Sequence, residues 1–392
     1  MKKIVFTEEF CSPENLFPFT LTRQIQDIRI GILTIREKWE QYLGFPSFDK
    51  HEDDYKDLDL AITIDENTGT DIIYLIHGNI LPTASLVRQV KKLKPGEFLS
   101  LAERESIVYC ISRNEIVGPN RIRVSKAVEV KDDVREVKYP WEIFQLNKWA
   151  LEQDFDLVTK GRKSAKISST NKVIHSQQVF FEKGVWAENC SFNAETGPIY
   201  IGKNAQVMEG SMIRGPVSIG EGAVVKMGTK IYGATTIGPA CTVGGEIKNS
   251  VLFANSNKAH DGYLGDAVIG EWCNLGAGTT NSNLKNNASP VQIWTPNGNV
   301  TAGLKCGVLM GDYSRTAINT SFNTGTVIGV CAHVYGQGLT PKYIPSFSWG
   351  SEGVERYRLD KAIADIQNWK ALKDQGITQN EKTVLKHIFD HY

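Results

Sequence analysis

Residues 201–248 read "IGKNAQVMEGSMIRGPVSIGEGAVVKMGTKIYGATTIGPACTVGGEIK". Cut every six residues, the blocks open on Ile201, Val207, Ile213, Ile219, Val225, Ile231, Ile237 and Val243. An unbroken spacing of six fits neither the 3.6-residue period of a helix face nor the alternation of an isolated strand. The same phase returns at Ile269 and Leu275, and again at Met310, Thr316, Phe322, Ile328 and Val334. A weaker echo lies upstream at Val173, Val179 and Val185.

A period of six predicts a solenoid in which each block is a short strand and a turn, three blocks closing one triangular coil. The aliphatic residue points inward, the glycine after it allows tight backbone, and the small residue four on fits the crowded interior. Ala205, Ala223, Cys241, Cys273 and Thr279 take that last place. Coils then stack about 4.8 Å apart through parallel ladders. The pattern resembles the left-handed parallel β-helix of hexapeptide-repeat proteins. That hand comes from the resemblance, since it runs against the right-handed crossover rule. Residues 173–345 would make roughly nine coils with two interruptions. The plain alternative is a prism that serves only as spacer or oligomerisation element.

The remaining composition sets bounds. At 392 residues the chain is too long for one ordinary core, so more than one domain is expected. Lys+Arg and Asp+Glu both number 44. That balance argues against a nucleic-acid or anionic-membrane binder. The seven cysteines form no CxxC pair, and the start "MKKIVFTEEF" reads as a first strand. With no export signal and no apolar run of bilayer length, a cytoplasmic protein is expected.

A break in the period costs stacking hydrogen bonds, so the two interruptions, 249–268 and 283–303, are read as loops with a purpose. The first holds His260 and Tyr263 within "KAHDGYLGDAVIGEWCNLGAGTTNSN". This stretch resembles the acetyltransferase half of the bifunctional N-acetylglucosamine-1-phosphate uridyltransferase/glucosamine-1-phosphate N-acetyltransferase family. That family carries K-A-G-H-x-x-Y-L-G-D, then N-[IL]-G-A-G-T and an asparagine soon after. The resemblance puts His260 at the catalytic-base position and Tyr263 at the sugar-phosphate tyrosine. Asn274 and Asn283 take the substrate-side asparagines, with Asn281 a competitor for the second. Lys248 and Lys305 match substrate lysines, and Lys230 stands where the family has arginine. Ala277 falls where the backbone meets acetyl-CoA, and the pantetheine arm would continue towards Ile318, Asn319 and Gly336.

The chemistry is coherent on the residues alone. Acetyl transfer to an ammonium needs a base that works near neutral pH, which a histidine supplies. A phosphate dianion calls for convergent cations such as Lys230, Lys248 and Lys305. A backbone N–H such as that of Ala277 can receive the charge that develops on the thioester oxygen. The bland alternatives are a polar loop histidine and solvated surface lysines. A zinc site is not expected, because His175, His260 and His333 form no H-x4-H pair.

Residues 1–165 have another texture. "KKIVF", "LDLAIT" and "DIIYLIHG" read as buried strands, "IRIGILTIREKWEQYLG" as a helix closed by Gly44, and "PWEIFQLNKWALEQDF" as a second helix. The alternation suggests an α/β domain with a mostly parallel sheet, and the resemblance makes it nucleotidyltransferase-like. The family's Gly-rich phosphate turn is missing from "TEEFCSPENLFPFTLTR", and "HGN" puts Asn79 where a carboxylate would hold Mg²⁺. "LFPFTLTRQIQDIRIGILTIREKW" resembles an alternate variant branch of the family, which offers Arg23, Arg29, Asn79 and Asn147 as phosphate or sugar contacts. After residue 350 the apolar spacing predicts two amphipathic helices broken at Gly376.

The expected organisation is a nucleotidyltransferase-like α/β domain over 1–165, a β-helix acyltransferase domain over 166–350 and C-terminal helices over 351–392. The resemblance implies acetyl-CoA as co-substrate, a sugar phosphate as acceptor, UTP or another NTP and Mg²⁺ in the first domain, and a homotrimer. Two alternatives stay open: a sugar-1-phosphate nucleotidyltransferase with a purely oligomerising prism, and a regulatory homologue without catalysis.

Overall fold

The computed structural model describes residues 2–8, 11–47, 72–101, 106–118, 121–353 and 355–392. The expected strand "LDLAIT" (58–63) lies outside them. The chain divides into two compact units, one of Met1–Pro13, Arg23–Ile28 and Leu33–Lys138, the other of Glu14–Thr22, Arg29–Ile32 and Tyr139–Tyr392.

In the first unit the strands run in the order Lys2–Thr7, Ile72–His77, Ser106–Ile111, Glu97–Ser100 and Lys126–Glu129. The two outer pairings are parallel and the two around Ser106–Ile111 antiparallel, so the sheet is mixed, where the sequence suggested mostly parallel. The reason is local: the strands Glu97–Ser100 and Ser106–Ile111 are too close in sequence for a crossover helix. The first helix also starts later than expected, at Ile35. Thr34 accepts from the Glu37 amide and Glu37 caps Thr34 in return, which fixes the start; Gly44, at φ 87°, ends it. Trp39, fully buried, donates its indole N–H to the Ile80 carbonyl at 2.9 Å.

The second unit is the prism. Its first face is a six-stranded parallel sheet from Lys172–Ile174 to Tyr263–Gly265. The second has nine strands from Val179–Phe181 to Tyr343–Ile344. The third has five from Trp186–Ala187 to Asn257–Lys258 and resumes beyond Asn274 at Arg315–Thr316. Ile201, Val207, Ile213, Ile219, Val225, Ile231, Ile237 and Val243 are all buried in one continuous core. Each such side chain contributes about 1.5–3 kcal/mol by leaving water.

The two interruptions prove different in kind. Across 249–268 the prism does not open. Ile231 pairs with Ile247, Ile247 with Leu264, Ile237 with Leu252 and Leu252 with Ile269. A strict repeat would have paired Ile231 with residue 249. The coil is shortened at its corners, which destroys the sequence period while the ladders persist. Only the second interruption leaves the prism. It forms an antiparallel hairpin, Val291–Ile293 against Val300–Gly303, and Trp294 stacks on Tyr343 with centroids 3.6 Å apart.

The tail forms the two expected helices, Leu359–Ala371 and Gln379–His391. Ile366, Leu385 and Ile388 pack on Trp272, Tyr313, Val330 and Phe347 at the corner between the second and third faces.

Candidate functional site

The corner between the third and first faces turns through left-handed residues in successive coils: Gly228 (φ 67°), Gly245 (77°), Gly262 (124°), Gly278 (75°) and Asn319 (56°). His260 sits on this corner, its side chain exposed. The Gly278 amide donates to the Asp261 carbonyl at 3.0 Å, and the Asn319 amide to the Ala277 carbonyl at 2.7 Å. The Ala317 amide in turn reaches the Val334 carbonyl at 2.9 Å, one turn before Gly336. His260, Ala277, Ile318, Asn319 and Gly336 therefore follow one another along a single edge. Among the described residues the Ala277 amide has no protein acceptor, and Ile318 is 69% exposed.

The first face adjoins this corner. Ile231, Ile247 and Leu264 point inward, so Lys230, Tyr232, Glu246, Lys248 and Tyr263 point outward on three adjacent rungs. Tyr232 donates to Glu246 at 2.6 Å, a bond that, with burial, pushes its phenol up to about 12. The Lys248 ammonium lies 5.6 Å from the Tyr232 ring centre. The Tyr263 ring folds across Gly265, where an added Cβ would stand 2.2 Å from the phenol oxygen. Asn283 donates to that oxygen at 3.1 Å and also to the Asp266 carboxylate, which accepts from Asn249 at 2.6 Å. Burial, then the charge of Asp266, lifts the Tyr263 phenol to about 12, so it stays a neutral donor. The exposed Lys305 precedes Cys306, whose amide donates to the Asn283 carbonyl at 3.0 Å.

Lys230, Lys248, Tyr263, Asn283 and Lys305 thus gather on one face. Asn274 lies across the corner, bridged in the third face between Asn257 and Arg315. The two neighbouring asparagines differ in burial and partners. Asn281 is 4% exposed and its amide holds both the N–H and the carbonyl of Gly265 (2.9 and 3.0 Å), leaving Asn283 to meet Tyr263. Sequence reading passed over the Tyr232–Glu246 pair and Asp266. The alternation "KIY", "EIK", "YLG" around each inward aliphatic was the available signal for the first two.

The four nucleotide-domain candidates divide between the units. Arg23 and Asn79 belong to the first, Arg29 and Asn147 to the second. Asn147 must be corrected. It is fully buried, its carbonyl oxygen accepting from the Gly31 amide (2.6 Å) and the Thr236 hydroxyl (3.2 Å). Its NH₂ donates to the Ala234 carbonyl at 2.7 Å. It fastens helix Asn147–Thr159 to the second face and has no surface for a ligand. Arg29 donates to the Ile32 carbonyl. Asn79, 6% exposed, accepts from the Cys11 thiol at 3.3 Å and donates to Glu136 at 3.4 Å.

Mg²⁺ wants one or two free carboxylates beside open water positions, and among the described residues the surroundings of Asn79 offer no such pair. Asn79, two residues past the strand Ile72–His77, is a buried amide with both ends engaged, and burial pushes the nearby Glu8 carboxyl up, towards its neutral form. Among the described residues no group of three or more His, Cys, Asp or Glu could hold a metal ion. No helix among them is long and apolar enough to cross a membrane.

Comparison with known proteins agrees with the two-part architecture. Residues 4–163 match a family described as sugar nucleotidyl transferase, and residues 198–233 match bacterial transferase hexapeptide (six repeats). A bifunctional sugar-1-phosphate nucleotidylyltransferase/acetyltransferase of Sulfurisphaera tokodaii is 29% identical over 240 residues, covering 60% of this chain and 53% of that relative. The bifunctional protein GlmU of Methanocaldococcus jannaschii is 38% identical over 84 residues, 21% of each chain. The chain thus spans about half the length of the first relative and about a fifth of the second. A solved Arabidopsis UDP-N-acetylglucosamine acyltransferase covers 58% of this chain and is itself covered over 90%, at 13% identity and a TM-score of 0.28, a likeness too remote to speak to function.

Proposed function

We propose that this protein transfers the acetyl group of acetyl-CoA to the amine of an amino-sugar 1-phosphate, glucosamine-1-phosphate being the acceptor that fits best. The observation that carries the reading is the corner itself. An exposed imidazole stands one rung from an unengaged backbone N–H, with three lysines, a neutral phenol and a carboxamide on the adjoining face.

In this reading the acetyl-CoA arm lies along Ala277, Ile318, Asn319 and Gly336. Lys230, Lys248 and Lys305 hold the phosphate, and Tyr263, Asn283 and, from the third face, Asn274 orient the sugar. His260 takes the proton from the amine as nitrogen attacks the thioester carbonyl. The Ala277 N–H donates to the carbonyl oxygen while it carries negative charge. Collapse expels the thiolate, which leaves with the proton that His260 returns. Lys230 supplies charge without the two-pronged fork of an arginine.

A site on an open edge admits water. A homotrimer would cover it, and exposed apolar residues support that arrangement: Met212 (51%), Met227 (71%), Ile318 (69%) and Leu339 (63%) lie on this corner or the adjoining face. The family match over 4–163 favours a second activity, nucleotidyl transfer from UTP or another NTP to a sugar 1-phosphate, with UDP-N-acetylglucosamine as the combined product. A cytoplasmic location accords with these substrates.

The test is thiol release from acetyl-CoA with glucosamine-1-phosphate, run on the wild type and His260→Ala. Loss of about two to four orders of magnitude in kcat is expected in the variant. Equal rates would overturn the assignment and leave two readings, nucleotidyl transfer alone, detected as pyrophosphate release, or a regulatory role.

A further inference from the structure

The inward ladder of the third face runs Ala187, Val207, Val225, Val243 and then Lys258. A lysine therefore occupies a slot that is otherwise apolar, and it is 1% exposed. Lysine is almost never buried so completely without partners. Here the partners are three backbone carbonyls, matched to the three N–H donors of an ammonium. Lys258 Nζ donates to the Gly244 carbonyl at 3.4 Å, to the Asp261 carbonyl at 3.2 Å and to the His260 carbonyl.

Two of those carbonyls belong to the turn that presents His260, and the third to the coil beneath it. Among the described residues the His260 carbonyl has no other donor. The coil beneath is shaped for the same contact. An added Cβ on Gly244 would stand 2.3 Å from the Ala259 oxygen, and one on Gly245, at φ 77°, would stand 2.9 Å from the Asp261 Cα. The paired glycines let the turn settle onto the coil, and the ammonium draws its carbonyls inward from the other side. With its carbonyl directed into the prism, the His260 residue directs its side chain to solvent, along the edge that carries Ala277.

We propose that Lys258 is the positioning residue for His260, holding the base-bearing turn from inside the prism by its ammonium-to-carbonyl bonds. The proposal rests on the acetyl-transfer reading of His260. Aliphatic residues suffice in the coils on the N-terminal side, whose corners present no such side chain. Burial pulls the Lys258 ammonium down to about 8, which leaves it charged at neutral pH. A displaced base costs rate more than binding, since a misplacement of about 1 Å can cost about a hundredfold.

Lys258→Met restores the apolar pattern at nearly equal volume, and Lys258→Gln keeps two donors on a shorter arm. With acetyl-CoA and glucosamine-1-phosphate, Lys258→Met is expected to lose about tenfold or more in kcat while both KM values stay within about twofold. Lys258→Gln should fall between it and the wild type. Independently of turnover, histidines labelled at Cε1 with ¹³C give an NMR signal for His260, assigned by its loss in His260→Ala. That signal should shift or broaden in Lys258→Met and move less in Lys258→Gln. An unchanged His260 signal, or wild-type kcat in Lys258→Met, overturns the proposal. So does failure of both variants to fold, which would make Lys258 a determinant of the fold. If His260→Ala itself keeps full activity, the acetyl-transfer reading fails instead, and the NMR comparison still decides whether Lys258 positions the turn.

Discussion

The carboxamide of Asn283 donates to the phenol of Tyr263 at 3.1 Å, across a separation of 20 residues, while also reaching the carboxylate of Asp266. Asn283 arrives there because the intervening coil closes before the chain leaves the prism for the hairpin. The contact thus couples a substrate-facing ring to the point where the regular fold ends. If both side chains orient the sugar phosphate as one unit, their removal should not add. Tyr263→Phe and Asn283→Ala should each raise the KM for the sugar phosphate, about three- to tenfold, and the double variant should lose less than the product. A double-mutant cycle on KM checks this, with a coupling of about 1 kcal/mol expected.

Gly265 tests the same placement from below. Its backbone does not need positive φ, so alanine costs no conformational strain there. The added methyl would still meet the Tyr263 ring, 2.2 Å from the phenol oxygen. Gly265→Ala should leave the thermal midpoint nearly unchanged, raise the KM for the sugar phosphate as Tyr263→Phe does, and be nearly silent in a Tyr263→Ala background. Steady-state kinetics on the three variants, with melting curves, would check it.

Much of this was legible in the sequence, and the failures have identifiable causes. The six-residue phase located the prism because one inward aliphatic per block is a strict steric demand. It lost the coil around 249–268, since trimming residues at corners shifts the phase while the ladders Ile231–Ile247 and Ile247–Leu264 survive. The slot of Lys258 was hidden by the same shift, although Leu252, Lys258 and Leu264 keep the spacing of six. Asn147 misled for a different reason. An asparagine that completes a buried backbone and one that meets a ligand carry the same side chain, and only the fold brings Gly31, Ala234 and Thr236 around it. The mixed sheet of the first unit depended on pairing order, which strand content does not encode.

Asn147 gives the third prediction. Asn147→Ala strands the Gly31 N–H and the Ala234 carbonyl in a dry site. Leaving such groups unpaired costs about 1–3 kcal/mol each. Thermal or urea unfolding should show a clear loss of stability, while the KM values for acetyl-CoA and the sugar phosphate in the folded fraction stay at wild-type values. A specific rise in either KM at unchanged stability would restore Asn147 as a ligand contact.

The last prediction concerns how the tail holds the prism. Glu381 accepts from Tyr313 at 2.9 Å, from the Thr378 amide at 2.7 Å and from the ammonium of Lys370. Burial alone would raise its carboxyl, but the bonds from Lys370, Thr378 and Tyr313 outweigh it and hold the group below its ordinary value. A carboxyl depressed in the folded state stabilises the fold above its unfolded pKa, about 4.3, and that stabilisation is lost as pH falls through the folded value. The helix Gln379–His391 should therefore loosen from Trp272 and Tyr313 in acid before the ladders fail. Lys370 lies over the Trp272 ring at 5.4 Å, so tryptophan emission reports the contact. The thermal midpoint should hold between pH 6 and about 5, then drop as pH falls past about 4.3 and on through the lowered folded value. Glu381→Gln should lower it by about 2–4 °C at pH 7 and converge with the wild type in acid. Parallel curves for the two proteins across that range would show that this carboxylate does not set the docking of the tail.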